Sequence, residues 1–164
     1  MTFLQAIERV ILVGIGATAV LDLWLLLLGR MGLPTLNFSF LGRWVGHGLR
    51  GRFAHAAIAR ATPIRRELAL GWITHYAIGI GFAALLVGWQ GEAWTRQPTL
   101  WPALLVGVGT VLAPLFLMQP AMGARIASSR TATPARNVIR SVVNHAVFGL
   151  GLYLAALLAA HLRS

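Results

Sequence analysis

The sequence predicts an all-α membrane protein: a bundle of four transmembrane helices with a basic amphipathic helix on its cytoplasmic face. Hydrophobic residues fill 57% of the 164 positions and charged residues only 11%, whereas a soluble domain carries about 25% charged residues. Four stretches reach the length of about 20 apolar residues that a helix needs to cross a bilayer. Because the chain has no cysteine, disulfide-stapled domains and thiolate metal sites are excluded.

The predicted spans follow the stretches that are nearly free of charge. They cover residues 10–28, 68–89, 100–122 and 142–162, and they are apolar on all sides, as helices surrounded by lipid are. The whole chain, residues 1–164, is predicted to form a single transmembrane domain. The first span contains Asp22, and the second and fourth contain His75 and His145.

The arginines predict the orientation of the bundle. All 14 basic residues are arginine, and 11 of them lie in two connections, residues 29–67 and 123–141. Since cytoplasmic loops carry an excess of basic residues, both connections are predicted to be cytoplasmic and both termini to lie outside. Only Arg9, Arg96 and Arg163 fall on the other side.

The first connection contains a segment, residues 41–58, with helical periodicity. Apolar residues recur at every fourth position from Leu41 to Ala57. This pattern is typical of a basic amphipathic helix on the inner membrane surface, and a helix packed on the ends of the bundle is a compatible alternative. The basic residues lie largely off the apolar stripe: Arg43, His47, Arg50 and Arg52.

The two halves of the chain resemble each other, which predicts an internal repeat of helix pairs. Residues 61–65, Ala-Thr-Pro-Ile-Arg, are echoed by residues 132–136, Ala-Thr-Pro-Ala-Arg. Each half also has a histidine followed by paired glycines, at residues 75–81 and 145–151. Paired glycines let helices approach closely in lipid. The repeat predicts that His75 and His145 face each other across the bundle.

Asp22 is the strongest candidate for a functional residue, because hydrocarbon makes an ionisable side chain costly. Counted along the helices, each span places a polar side chain roughly 8 to 14 Å below the cytoplasmic interface. The main candidates for a ligand or metal site in this layer are Asp22, His75 and His145. The secondary candidates are Gln119, Asn144, Glu67, His47 and His55.

Two imidazoles and a carboxylate suit three different roles. They can hold a divalent metal ion with an open position, they can relay protons, or they can hydrogen-bond helices to one another. A divalent metal is the favoured candidate cofactor, and haem is a less favoured one. His47 and His55 can complete a metal site from the cytoplasmic side, although solvated surface histidines are the preferred interpretation of these two residues.

The excess of arginine has two interpretations. Guanidinium groups match phosphates with two parallel hydrogen bonds, which predicts contacts with anionic lipid head groups. The preferred alternative is that the arginines only set the topology and reflect a bias in base composition. The head-group candidates are Arg43, Arg50, Arg52, Arg65 and Arg136.

Several short motifs, spread over nearly the whole chain, resemble a bacterial integral membrane family. The motifs are residues 16–24 with Asp22, residues 42–44 with His47, residues 51–53 with His55, residues 71–76, and Gln119-Pro120 with Gly123. The family is classified only as a domain of unknown function, number 2938. The resemblance implies a small integral membrane protein of bacteria and brings no activity or assigned site. The predicted location is the bacterial inner membrane.

Three functional hypotheses follow. The first is that the Asp/His site near the cytoplasmic side binds a metal or small ligand, with catalysis left open. The second is a proton-coupled small-solute transporter or channel, and the third is a non-catalytic accessory or structural subunit. The expected partners are membrane lipids, including anionic head groups, and a second copy of the chain, with no nucleic acid.

Overall fold

The computed structural model describes residues 3–162, and every element in that range is helical. The predicted location of Arg163 therefore lies outside the described residues. The α-helices are α1 (Phe3–Arg30), α2 (Phe38–Gly48), α3 (Glu67–Arg96), α4 (Leu100–Gly109), α5 (Gln119–Met122) and α6 (Pro134–His161). A π-helix covers Ala113–Met118, and 3-10 turns cover Ile58–Arg60 and Ile126–Ser128.

Four helices are long and apolar enough to span a membrane, which confirms the predicted fold class. They are Leu4–Arg30, Glu67–Arg96, Leu100–Met122 and Pro134–His161. Many of their large apolar side chains face outward, such as Leu23 and Leu26 on α1 and Leu158 on α6. Exposed apolar surface of this kind is costly in water and favourable against lipid.

The chain divides into two compact units. The core unit comprises the residues up to Thr35, Tyr76–Thr110, and those from Val143 onward. The arginine-rich unit comprises Leu36–His75 and Val111–Val142. The predicted single domain over residues 1–164 stays a prediction, as do the sides of the membrane on which the loops and termini lie.

The interior of the core unit is made largely of small residues, which lets its helices approach closely. Ala17, Ala83, Ala103 and Ala156, one from each long helix, are buried together in a cluster with Phe148. Small residues at helix interfaces are the usual basis of packing in membranes. One of the paired glycines, Gly149 of α6, lies at such a close approach. A Cβ added at Gly107 of α4 would overlap the backbone of Gly149.

The α-helical geometry of the third span is interrupted near its prolines, because a proline removes a backbone hydrogen-bond donor. After α4 the chain adopts π-helical geometry over Ala113–Met118, with Pro114 in the first turn, before α5 resumes at Gln119. A π-helical turn inside a span is often associated with a functional position. Here it leads directly into Met122 and Gly123, at the start of the second long connection.

One expectation for the first connection differs from the structure. The predicted helix over residues 41–58 ends at Gly48, and the left-handed backbone at Gly51 (φ +81°) prevents it from continuing. α2 packs on the start of α3, with the backbones in contact where Gly42 meets Glu67 and Gly71. The repeated Thr-Pro motif also behaves differently in its two copies: α6 begins at Pro134, whereas α3 begins at Glu67, four residues after Pro63. The internal repeat stays a prediction.

Candidate functional site

Asp22 and its neighbour Trp24 make hydrogen bonds between helices of the core unit. The Tyr76 hydroxyl of α3 donates to Asp22 Oδ2 at 2.8 Å. Trp24 Nε1 donates to Asn144 Oδ1 of α6 at 3.0 Å. Hydrogen bonds of this type contribute on average about 0.6 kcal/mol in a bilayer. These contacts favour the interpretation in which Asp22 and Asn144 hold helices together.

His145 is held by α4 in the same unit. Its Nδ1 lies 3.0 Å from Thr110 Oγ1 and 3.2 Å from the Gly107 carbonyl oxygen. Thr110 itself donates to the Gly107 carbonyl at 2.6 Å. A carbonyl oxygen accepts only, so Nδ1 of His145 carries the proton when it bonds Gly107.

His75 belongs to the arginine-rich unit, where it packs among aromatic rings. Its ring centroid lies 4.8 Å from that of Phe38 and 6.0 Å from that of Trp72. Within residues 3–162, no group of three or more His, Asp or Glu side chains is placed to hold a metal ion. Metal binding and proton transfer by Asp22, His75 and His145 stay predictions.

Arg43, which is buried, and Glu67, which is half-buried, form an ion pair that joins α2 to the start of α3. Arg43 Nε and Nη2 donate to the two carboxylate oxygens at 2.9 and 2.8 Å, and this hydrogen bonding raises the pKa of Arg43. Arg43 is only 6% exposed, which corrects its predicted place among the head-group candidates. Its Nη1 also lies 3.1–3.4 Å from three carbonyl oxygens, those of Ile58, Ala59 and Ala61.

His47 and His55 form a second buried pair, although the preferred prediction was that both are solvated. They are 7% and 6% exposed, and His47 Nδ1 lies 2.7 Å from His55 Nε2. The sequence placed them on one helix; instead the chain turns after α2 and returns, so that the two rings meet. Burial lowers the pKa of His55, and the charges of Arg52 and His47 lower it further.

His55 lines an open cavity of about 580 Å³ in the arginine-rich unit. Its cationic lining residues are Arg52, Arg60 and Arg130, and all three are exposed. No ion pair joins any of these guanidiniums to a residue within 3–162. The unit holds ten arginines and one acidic residue, Glu67, which Arg43 already engages. The cavity is therefore strongly electropositive.

Both long connections build the cavity. The His55 amide donates to the Ala121 carbonyl at 2.8 Å, and a Cβ at Gly123 (φ +97°) would overlap the carbonyl of Ala56. Three consecutive hydrogen bonds brace the second connection: Ser128 Oγ to Gln119 Oε1 at 2.9 Å, Thr131 Oγ1 to the Ser128 carbonyl at 2.7 Å, and Asn137 Nδ2 to Thr131 Oγ1 at 2.8 Å. Gln119 thus supports the cavity wall.

The second connection, which forms one side of the cavity, contains residues with positive φ values. Arg125, Ala127 and Ser128 have φ values between 49° and 58°, a left-handed conformation that costs non-glycine residues about 1–3 kcal/mol each. Strain of this kind persists where the surrounding structure fixes it, and it is concentrated at functional sites.

Sequence reasoning found part of this site and missed the rest. Arg52 and His55 were candidates, whereas Arg60 and Arg130 were not. The repeated Ala-Thr-Pro motif could have indicated both residues. Arg60 immediately precedes one copy of the motif, and Arg130 lies two residues before the other. The remaining head-group candidates, Arg50, Arg65 and Arg136, are exposed and do not line the cavity.

Comparison with known proteins agrees with the resemblance noted in the sequence. A family model described as "Protein of unknown function (DUF2938)" matches residues 11–159, which include every candidate site residue. No curated protein and no solved structure matches the chain. With 149 of its 164 residues matched, this chain of four long apolar helices belongs to the DUF2938 family of proteins of unknown function.

Proposed function

We propose that this protein binds a phosphate-bearing anion, a lipid head group or a free phosphate, in the cavity of its arginine-rich unit. The observation that carries the proposal is the cavity itself, which gathers Arg52, Arg60 and Arg130 around a buried histidine without a carboxylate to neutralise them. Uncompensated guanidiniums in a concave site raise the local concentration of anions.

The chemistry of the lining favours an oxyanion over chloride, and three guanidiniums suit the charge and the oxygen count of a phosphate better than those of a single carboxylate. The planar guanidinium presents paired donors that match two oxygens of a phosphate group. A cavity of about 580 Å³ falls within the usual range of about 300–1,000 Å³ for small-ligand sites. It can therefore accept a phosphate together with a glycerol-sized or sugar-sized substituent.

This function corresponds to the small-ligand part of the hypothesis drawn from the sequence, with the site moved from the Asp22 layer to the cavity beside His55. The positive-inside rule supports a cytoplasmic position for the cavity in a bacterial inner membrane, because ten of the 14 arginines belong to the unit that contains it. Anionic phosphate compounds are available there from lipid and from solution.

Inorganic phosphate is expected to stabilise the purified protein in a neutral detergent. A ligand at 100 times its Kd raises the free energy of unfolding by about 2.7 kcal/mol, which thermal unfolding and calorimetric titration both detect. A charge-assisted hydrogen bond contributes about 1.5–3 kcal/mol. The Arg130→Gln variant is therefore expected to bind phosphate about tenfold more weakly.

Arg50→Gln provides the matched control, since Arg50 is exposed on the same unit and lies outside the cavity lining. It removes the same charge and is expected to leave the phosphate affinity within about twofold, as surface charges contribute little. Equal weakening by both substitutions, or no stabilisation of the unaltered protein by phosphate, would contradict the proposed site.

A further inference from the structure

The turn that follows α2, residues 49–54, has its backbone fixed by hydrogen bonds. The amide of Arg52 donates to the carbonyl of His47 at 3.0 Å, and the amide of Gly51 donates to the carbonyl of Gly48 at 2.9 Å. With the left-handed conformation of Gly51 (φ +81°), these two bonds form a Schellman motif, which satisfies carbonyl groups at the end of a helix. We call residues 49–54 the basic turn, and all six of them are exposed.

The basic turn presents two large apolar side chains. Leu49 is 80% exposed and Phe53 is 65% exposed, and Trp44 Nε1 fixes the second of them by donating to the Phe53 carbonyl at 2.8 Å. Neither residue belongs to a helix that is long enough to span a membrane, so lipid around the spans does not account for their exposure. A single exposed apolar residue is common in proteins, but here one ordered turn holds two of them outward.

The charge of the basic turn indicates what covers these side chains. Arg50 and Arg52 each adjoin one of the two apolar residues in the sequence, and the turn contains no acidic residue. Glu67, the one acidic residue of the arginine-rich unit, is already engaged. Apolar side chains beside uncompensated arginines match the interface of an anionic bilayer, where acyl chains meet phosphates. The long arginine side chain keeps its guanidinium among the head groups while its neighbours lie deeper.

We propose that the basic turn is a membrane anchor, in which Leu49 and Phe53 enter the interface of an anionic bilayer while Arg50 and Arg52 bind its head-group phosphates. Four helices that are long and apolar enough to span a membrane supply a bilayer to the same chain. A second copy of the chain fits the turn less well, because a symmetric contact would place the same arginines of both copies against each other. The anchor goes beyond the proposed cavity site, whose lining includes Arg52 but not the other three residues.

A spin label tests where the basic turn lies, and the absence of cysteine from the chain allows one label to be placed alone. Ala54→Cys, labelled with a nitroxide, keeps the apolar and basic residues of the turn. In nanodiscs of phosphatidylglycerol, this label is expected to be more accessible to oxygen, which concentrates among acyl chains, than to a water-soluble nickel complex. Ser129→Cys, an exposed position on the second connection, is the control and is expected to show the opposite preference. A water-exposed label at residue 54, or equal protection of both labels, would overturn the anchor.

Substitutions in the labelled Ala54→Cys chain separate the two parts of the anchor. An arginine near an anionic surface favours binding about fivefold. Arg50→Gln is therefore expected to lower the ratio of lipid-inserted to water-exposed label about fivefold in phosphatidylglycerol, and to change it by less than about twofold in phosphatidylcholine. Leu49→Ser should lower the ratio in both lipids, because it removes apolar surface. Arg65→Gln, which replaces an exposed arginine outside the turn, should leave the ratio unchanged. Equal losses from Arg50→Gln and Arg65→Gln, or no loss from Leu49→Ser, would overturn the anchor.

The same label detects the competing occupant. Magnetic coupling between the labels of two chains, in detergent or in nanodiscs, would assign the basic turn to a second copy and overturn the lipid anchor. Spectra without such coupling, together with protection from the nickel complex in the anionic bilayer, support it. No phosphate is added in these measurements, and they record the position of a label. The anchor and the phosphate site in the cavity can therefore fail separately.

Discussion

Replacing Arg43 by methionine is expected to lower the free energy of unfolding by about 3 kcal/mol, the lower end of the range for breaking a buried ion pair, since it leaves the half-buried Glu67 carboxylate without its guanidinium partner. Among residues 3–162, Glu67 would keep the amide of Ile64 as its hydrogen-bond donor, at 3.1 Å from Oε2. Three carbonyl oxygens of residues 58–61 would lose their guanidinium donor as well. Unfolding in mixed micelles, followed by circular dichroism, measures the loss.

Two further variants show whether loss of the ion pair causes the expected destabilisation of Arg43→Met. Arg43→Met combined with Glu67→Gln removes the unpaired charge and should recover part of the lost stability. Arg65→Met replaces an exposed arginine and is expected to change the stability by less than about 0.5 kcal/mol. If Arg43→Met costs no more stability than Arg65→Met, the Arg43–Glu67 ion pair does not hold α2 against the start of α3.

The second large effect is expected at Gly107 in the core unit. A Cβ added there would lie 2.6 Å from the Gly149 nitrogen and 2.7 Å from the His145 carbonyl oxygen, so α4 and α6 would have to separate. Overpacking typically costs about 1–3 kcal/mol, and contact with backbone atoms that cannot change rotamer places Gly107→Ala at the upper end. The same unfolding measurement applies.

Gly109→Ala is the matched control, two residues along the same helix. Nothing lies within 4 Å of a Cβ at Gly109, and alanine has a higher helix propensity than glycine by about 1 kcal/mol. Gly109→Ala should therefore be neutral or slightly stabilising. Similar losses from the two substitutions would mean that α4 and α6 do not meet at Gly107.

The sequence predicted the four long helices well because bilayer thickness fixes the length of an apolar stretch, whatever its neighbours are. It predicted the helix over residues 41–58 less well, because periodicity alone does not reveal a left-handed glycine such as Gly51.

The candidate site was only partly predictable, since its residues are brought together by contacts over long sequence separations. Arg43 resembles the surface arginines in composition, and only its contact with Glu67, 24 residues away, distinguishes it. His47 and His55 were predicted to be solvated, yet the return of the chain after Gly51 buries both rings. Asp22 was recognisable because an ionisable side chain is costly in hydrocarbon. The pattern of the sequence did not indicate that Tyr76 donates a hydrogen bond to its carboxylate.

The central claim is that the three cavity arginines form one phosphate site and are not simply part of a diffuse positive surface. The most direct test compares two triple variants of equal charge by calorimetric titration with inorganic phosphate. One variant combines Arg52→Gln, Arg60→Gln and Arg130→Gln in the cavity lining, and the other combines Arg50→Gln, Arg65→Gln and Arg136→Gln outside it. We predict that only the first variant loses phosphate binding. Equal loss in both variants, or unchanged binding in the first, would contradict the claim.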